Sequence, residues 1–274
     1  MEEICIETEN TNPEMFRRRL LQQIDSWRNS GLLQEFQETS TGTITVWDCK
    51  TSDNYQAKNF RRLAAQVIAE HIVSEVEPVL LKRLMNLHHP HLGKEEAKII
   101  CDKVRQRLNR EELLTGESRY QQILKCIEDF LRERDQINIE GFLRFRLQDY
   151  QRNLLTLINQ SADDYMIEKE YQDFIDLLKY FVEIQQPRFS EMHLMRQDKS
   201  FVLCDPDFKV VHREKVRDLE GADAIISTLV TAAPSQVTIH LASLDEDDEL
   251  VTTIQSIFDS RVHICLGCEQ CAKE

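Results

Sequence analysis

Three cysteines near the end of the chain stand at a spacing that suits a metal ion: Cys265-x-x-Cys268-x-x-Cys271. Thiolates two residues apart can turn successive sulfurs toward one point, which is how short loops wrap zinc or iron. Three sulfurs leave a tetrahedral site one donor short. The sequence offers Cys204, His263 and His240 as the fourth, or a residue of a second chain. His263 lies two positions before Cys265, so a strand running through both would put their side chains on one face. Zinc is the ion such a set would take, although the sequence establishes no cofactor. Two other readings stand beside it: a redox or reactive-thiol role, and an unliganded polar tail. Thioredoxin-type chemistry fits poorly, because it needs CxxC at a helix N-terminus and only three residues follow Cys271.

Other groupings carry less. His88-His89-Pro90-His91 could bind a metal adventitiously, but no cysteine or carboxylate stands at matching spacing, and an exposed loop explains it. Arg144, Arg146 and Asp149 precede a second charged set, Asp163, Asp164, Glu168 and Glu170. Packed antiparallel, two such helices would form guanidinium–carboxylate pairs. A structural salt-bridge network is the plain reading. An enzyme or binding protein for an anionic ligand, built on Arg144 and Arg146, is the functional one. The chain has no P-loop, nucleophile elbow, dinucleotide fingerprint or Glu-x-x-His pattern on these helices. Cys5, Cys49, Cys101 and Cys126 read as small buried hydrophobes.

The elements that must position these groups fall into three zones. In residues 1–56, Ile4 and Ile6 alternate with polar neighbours as in a strand. Pro13 then opens a helix whose stripe is Phe16, Leu20, Ile24 and Trp27, with Gly31 ending it. A β-type run follows at Thr43 to Trp47, after a turn at Thr41-Gly42. Residues 57–187 read as helical throughout, with apolar stripes at bundle spacing. Pro78 either kinks that pattern or restarts it. Asn138 can cap a helix carrying Phe142 and Phe145, and Ser161 with Asp164 has capping-box spacing for another, closed by Pro187. In residues 188–274 the period changes. Strands are expected at Met192–Met195, Phe201–Cys204, Val237–Leu241 and Arg261–Cys265. Helices are expected from Asp223, or as early as Glu214, to Ala232, and after the acidic run Asp245 to Glu249. The order β-β-α-β-α-β implies a small sheet with helices against it. The fold class is α+β and mostly helical: a central helical bundle between an N-terminal α/β element and a C-terminal α/β unit.

Composition narrows the function. The net charge of −14 disfavours nucleic acid and anionic lipid. Arg17-Arg18-Arg19 and Arg61-Arg62 sit beside acidic residues, as on solvated helix faces. Seven glycines in 274 residues leave little for phosphate-cradling loops. No run approaches the roughly 20 apolar residues of a membrane span, and the acidic start lacks signal-peptide order. A cytoplasmic protein with reduced cysteines is expected.

Two stretches carry a resemblance. One is Phe142 to Tyr150, with the later run Glu170 to Val182. The other is Thr253 to Phe258, Arg261-Val262 and Cys265 to Cys271. Together they resemble the YtxC-like sporulation proteins of endospore-forming bacteria, most clearly from about residue 138 onward. The resemblance implies a cytoplasmic protein linked to spore formation. It brings no reaction, cofactor or catalytic residue. The expectation is a protein that is not an enzyme and acts through an unidentified protein partner.

Overall fold

The computed structural model describes residues 2–9, 13–51, 54–115, 118–197, 200–215, 219–240 and 249–271. They group into two compact units, Met1–Tyr165 and Met166–Glu274.

The first unit is built on a mixed sheet of order β2-β3-β1-β4. Strand β1 (Glu2–Thr8) pairs antiparallel with β3 (Ile44–Thr51), and β3 with β2 (Glu35–Thr41). The β2–β3 turn needs a left-handed residue, and Gly42 supplies it at φ +63°. Alternation sends Ile4, Ile6, Trp47 and Cys49 into the core. Helix α1 (Glu14–Asn29) buries the stripe Phe16, Leu20, Ile24 and Trp27. Phe16 meets Trp47 edge-on at 5.1 Å, and Trp27 meets Phe60 of α2 (Asn54–His71) at 5.1 Å. Edge-to-face packing suits ring quadrupoles, so these pairs fix the seating of α1 as well as adding buried area.

Pro78 does not break the helical path: the backbone at His71, Val76 and Glu77 stays right-handed helical. Pro78 lacks the N–H that would bond the Ser74 carbonyl, and its ring would clash there. A π-helical turn, Ile72–Val76, takes up the mismatch before α3 (Glu77–His88). Buried Glu77 accepts a hydrogen bond from Tyr150 and is ion-paired with Arg119, whose Nε lies 3.4 Å away. Helix α4 (Lys94–Thr115) follows the histidine connection. Leu81, Met85, Ile100, Val104, Leu154 and Ile158 form a separate helical core.

Helix α5 (Arg119–Glu133) carries a Ser118–Gln121 capping box. Strand β4 (Gln136–Asn138) then adds in parallel to β1. Asn138 caps α6 (Ile139–Arg146), its Oδ1 accepting from Gly141 N at 2.7 Å. Helix α7 then runs unbroken from Gln148 to Ile184. The capping box expected at Ser161 and Asp164 is therefore corrected. Ser161 is fully buried inside the helix, and no glycine or proline interrupts residues 148–184. The break falls instead at Leu147. Asp163, Asp164, Glu168 and Glu170 thus lie on the helix that follows α6 in the chain. Asp164 pairs with Arg107 of α4, and Arg146 lies over the Phe130 ring at 5.5 Å. Asp149 and the four later acids therefore share one helix, and no second helix begins near residue 161.

The second unit holds the rest of α7 and a five-stranded sheet of order β7-β6-β5-β8-β9. Its elements are β5 (Glu191–Gln197), β6 (Ser200–Cys204), β7 (Val210–Lys215), α8 (Leu219–Ala232), β8 (Gln236–His240), α9 (Glu249–Phe258) and β9 (Val262–Cys265). Strand β7 corrects the possible helix start at Glu214, which pairs with Phe201 across the ladder. The β-branched pair Val210-Val211 favours this extended backbone. Asp245 to Asp248 lie outside the described residues, and Glu249 opens α9.

Strands β5, β8 and β9 are mutually parallel. Successive right-handed crossovers moving one way across a sheet stack their helices on one face. Ile225 and Leu229 of α8 and Val251, Ile254 and Ile257 of α9 accordingly share one core with Leu194, Leu203, Val237 and Ile239. The opposite face carries Cys204, His193, Thr238, His240, His263 and Cys265, by the two-residue period and the register. Among the described residues no helix is long and apolar enough to cross a membrane.

Candidate metal centre

His240 ends β8, and Cys265 stands beside it in register at the end of β9. Neighbouring strands are about 4.8 Å apart, so in-register side chains on one face must meet. Past Cys265 the chain turns at Gly267, whose φ of +156° is costly for any residue with a Cβ. That turn brings Cys268 and Cys271 back over His240. The four donor atoms of His240, Cys265, Cys268 and Cys271 all lie within 4.8 Å of one another.

The separations among His240, Cys268 and Cys271 match one tetrahedral ion. With Zn–S about 2.3 Å and Zn–N about 2.0–2.1 Å, tetrahedral angles place sulfurs about 3.8 Å apart and sulfur about 3.6 Å from nitrogen. Cys268 and Cys271 Sγ are 3.6 Å apart, and His240 Nδ1 is 3.6 Å from Cys268 Sγ and 3.3 Å from Cys271 Sγ. Among the described residues this is the one group of three or more His, Cys, Asp or Glu donors gathered this closely.

The thiols differ in environment. A hydrogen bond from the Cys271 backbone holds the exposed Cys268 thiol below its ordinary pKa, while burial pushes Cys271 up. His240 is 4 % exposed, and burial, then neighbouring His193, lowers its pKa, which favours the neutral imidazole a metal needs.

Of the residues expected from sequence, the fold brings together Cys265, Cys268 and Cys271 with His240. Cys204 and His263 lie outside that group. Cys204 is buried on β6, with β5 and β8 between it and β9, in a small apolar cluster with Met195 and Val202. His263 is exposed beside Thr238, one step back along β9. The sequence reading overlooked His193. Its Nδ1 is 3.3 Å from His240 Nε2, and its ring stacks on Phe208 at 4.2 Å and 11°. A histidine inside the apolar run Met192–Met195 was the available signal.

The other candidates stay apart from any donor cluster. In the histidine connection, His89 Nε2 meets Asn159 at 3.0 Å, and the His89 and His91 rings are 5.9 Å apart. Cys5 and Cys49 are both pushed up to about 12, by burial first. Cys126 corrects the buried-hydrophobe expectation, since it is exposed on α5. Arg146 lines a cavity of about 620 Å³ with Arg134, Glu7, Glu133 and Asp135. Those carboxylates outnumber the guanidinium groups there, so charge does not draw an anion to it.

The YtxC-like family model matches residues 62–263, more than half of the chain. That span takes in His193 and His240 and stops just before the three cysteines. A relative, the uncharacterised protein YtxC of Bacillus subtilis (strain 168), is 30% identical over 157 residues, covering 54% of each chain. The chain thus spans about half the length of the curated relative it matches. No solved structure matches. The extent of the family match decides the matter: the chain belongs to the YtxC-like family.

Proposed function

We propose that this chain is a cytoplasmic, non-catalytic protein of spore formation whose C-terminal unit is stapled by one zinc ion and which works through contacts with other proteins. The observation that carries the zinc reading is the gathering of four donors, one imidazole and three thiols, within 4.8 Å of one another. Four protein donors fill a tetrahedral ion and leave no position for substrate, as in structural zinc sites. The ion would tie the edge strand β9 and the turn beyond it to the inner strand β8. Contacts with protein are supported by α7, where Phe174, Leu177, Phe181 and Ile184 are exposed at alternating three- and four-residue spacing. Such a row suits a helical partner. The spore role rests on the family resemblance.

Metal analysis tests the zinc reading. Protein purified anaerobically without chelator should hold about one zinc per chain, and Cys268→Ser with Cys271→Ser should hold none. Wild-type protein that neither carries zinc nor takes it up on titration would end the reading.

A further inference from the structure

We infer that His193 is a positioning residue for this site: its Nδ1 accepts a hydrogen bond from His240 Nε2 and so leaves the His240 Nδ1 lone pair facing the thiols. The inference rests on the zinc reading above and names the residue that sets the imidazole's tautomer.

The proton count is restrictive. His240 Nδ1 faces Cys268 and Cys271, and its Nε2 lies 3.3 Å from His193 Nδ1. Only one hydrogen fits between those two ring nitrogens. If His240 Nε2 holds it, His193 Nδ1 accepts, and His240 Nδ1 is free to bind a cation. If His193 Nδ1 holds it, His240 Nε2 accepts, and the neutral His240 carries its proton on Nδ1, hydrogen-bonded to a thiol sulfur. The first arrangement fits a metal; the second fits the empty thiol cluster. Metal binding therefore removes a proton from His240 Nδ1 and moves the shared hydrogen onto His240 Nε2. His193 gives up its Nδ1 hydrogen in that shift and takes up a proton on Nε2 in its place, so the two neutral imidazoles hold two protons before and after, and the net proton release on metal binding comes from the thiols. Ligating histidines in general bond a second group through the other ring nitrogen, which orients the ring.

The surroundings hold His193 for this task. It stands in the central strand β5 and is 6 % exposed. Its ring lies flat against Phe208 in the β6–β7 connection. That connection is tied at both ends: Asp205 Oδ1 accepts from Asp207 N at 3.0 Å and Lys209 N at 2.9 Å. Phe208 sits at φ +59°, a left-handed conformation that costs a bulky residue energy. The strained turn delivers an aromatic face to the imidazole. Glu191 Oε1 lies 3.9 Å from His193 Nδ1 but is occupied by Thr238 Oγ1 at 2.5 Å, which leaves His240 as the nearer partner of that nitrogen.

Two substitutions separate this role from packing. His193→Asn keeps an acceptor oxygen where Nδ1 stood, and His193→Leu removes it. Zinc affinity is measured on the full chain by chelator competition. Cobalt(II) absorption reports coordination, and ¹⁵N spectra of the imidazoles report which nitrogen carries the proton. His193→Leu should bind zinc roughly 10- to 100-fold more weakly, and His193→Asn should recover most of the loss. Wild-type ¹⁵N spectra should show His240 Nε2 protonated when zinc is bound. Equal zinc affinity in His193→Leu and wild type overturns the inference while leaving the site intact. So does equal weakening in both variants, or a His240 that ligates through Nε2. A wild-type chain that binds no zinc removes the zinc reading itself.

Discussion

His71→Leu should remove a block of acid sensitivity from the first unit. His71 ends α2, is 5 % exposed and meets Phe16 edge-on at 5.0 Å. Its Nδ1 is buried without a hydrogen-bond partner. Burial, then the nearby Arg19 guanidinium, lowers its pKa from 6.5 to about 4, against a smaller opposing pull from Glu75. The unfolded chain protonates this imidazole below pH 6.5, whereas the folded chain holds it neutral down to about 4. Between those values the unfolded state binds more protons, so stability falls as pH falls. The contribution is complete above 6.5 and lost by about 4. At about 1.4 kcal/mol per pKa unit, the gap is worth about 3 kcal/mol. Both tryptophans, Trp27 and Trp47, lie in the core that includes Phe16, so their fluorescence reports this unit. Urea unfolding followed by tryptophan emission at a series of pH values gives the assay. Carboxylates common to both proteins cancel in the difference between wild type and His71→Leu. That difference should change by about 3 kcal/mol across the window. A difference that stays level from pH 7 to 4 would refute the argument that this imidazole is folded in its neutral form.

Two further outcomes are expected. Asn138→Ala removes the acceptor that caps α6 at Gly141 N and should cost about 1 kcal/mol in urea unfolding; a loss near zero would mean water satisfies that N–H as well. A strain lacking the gene should form fewer heat-resistant spores, scored by plating after heating. An unchanged spore count would remove spore formation from the proposed function.

What could be read in the sequence was what is local. The α1 stripe and the Asn138 cap are written within one or two turns, and both are found as expected. Strand β2, Glu-Phe-Gln-Glu-Thr-Ser-Thr, shows little apolar alternation because it is an edge strand and mostly exposed. Strand β4 is three residues long and exists through its pairing with β1, some 130 positions away, which no local period encodes. The long helix hides its continuity because serine and aspartate favour caps in the abstract, while Ser161 here is buried by tertiary packing. The site divides the same way. The three cysteines are neighbours in sequence, and His240 stood among the alternatives for the fourth donor. His193 is 47 positions from His240 and meets it only because β5 lies beside β8.

That dependence on register also runs from the site back to the fold. Strand β9 has four residues and a single neighbour, β8, so backbone pairing specifies its alignment weakly. A one-residue slip of β9 would carry Cys265 to the helix-covered face, away from His240. It would also expose Val262 and Ile264, which pack against the apolar core. Burial therefore opposes the slip from one face of the sheet, and a shared ion between His240 and Cys265 would oppose it from the other. An edge strand held from both faces no longer relies on its own few hydrogen bonds. The thiols can then follow at once in an exposed turn without loosening the sheet that carries them.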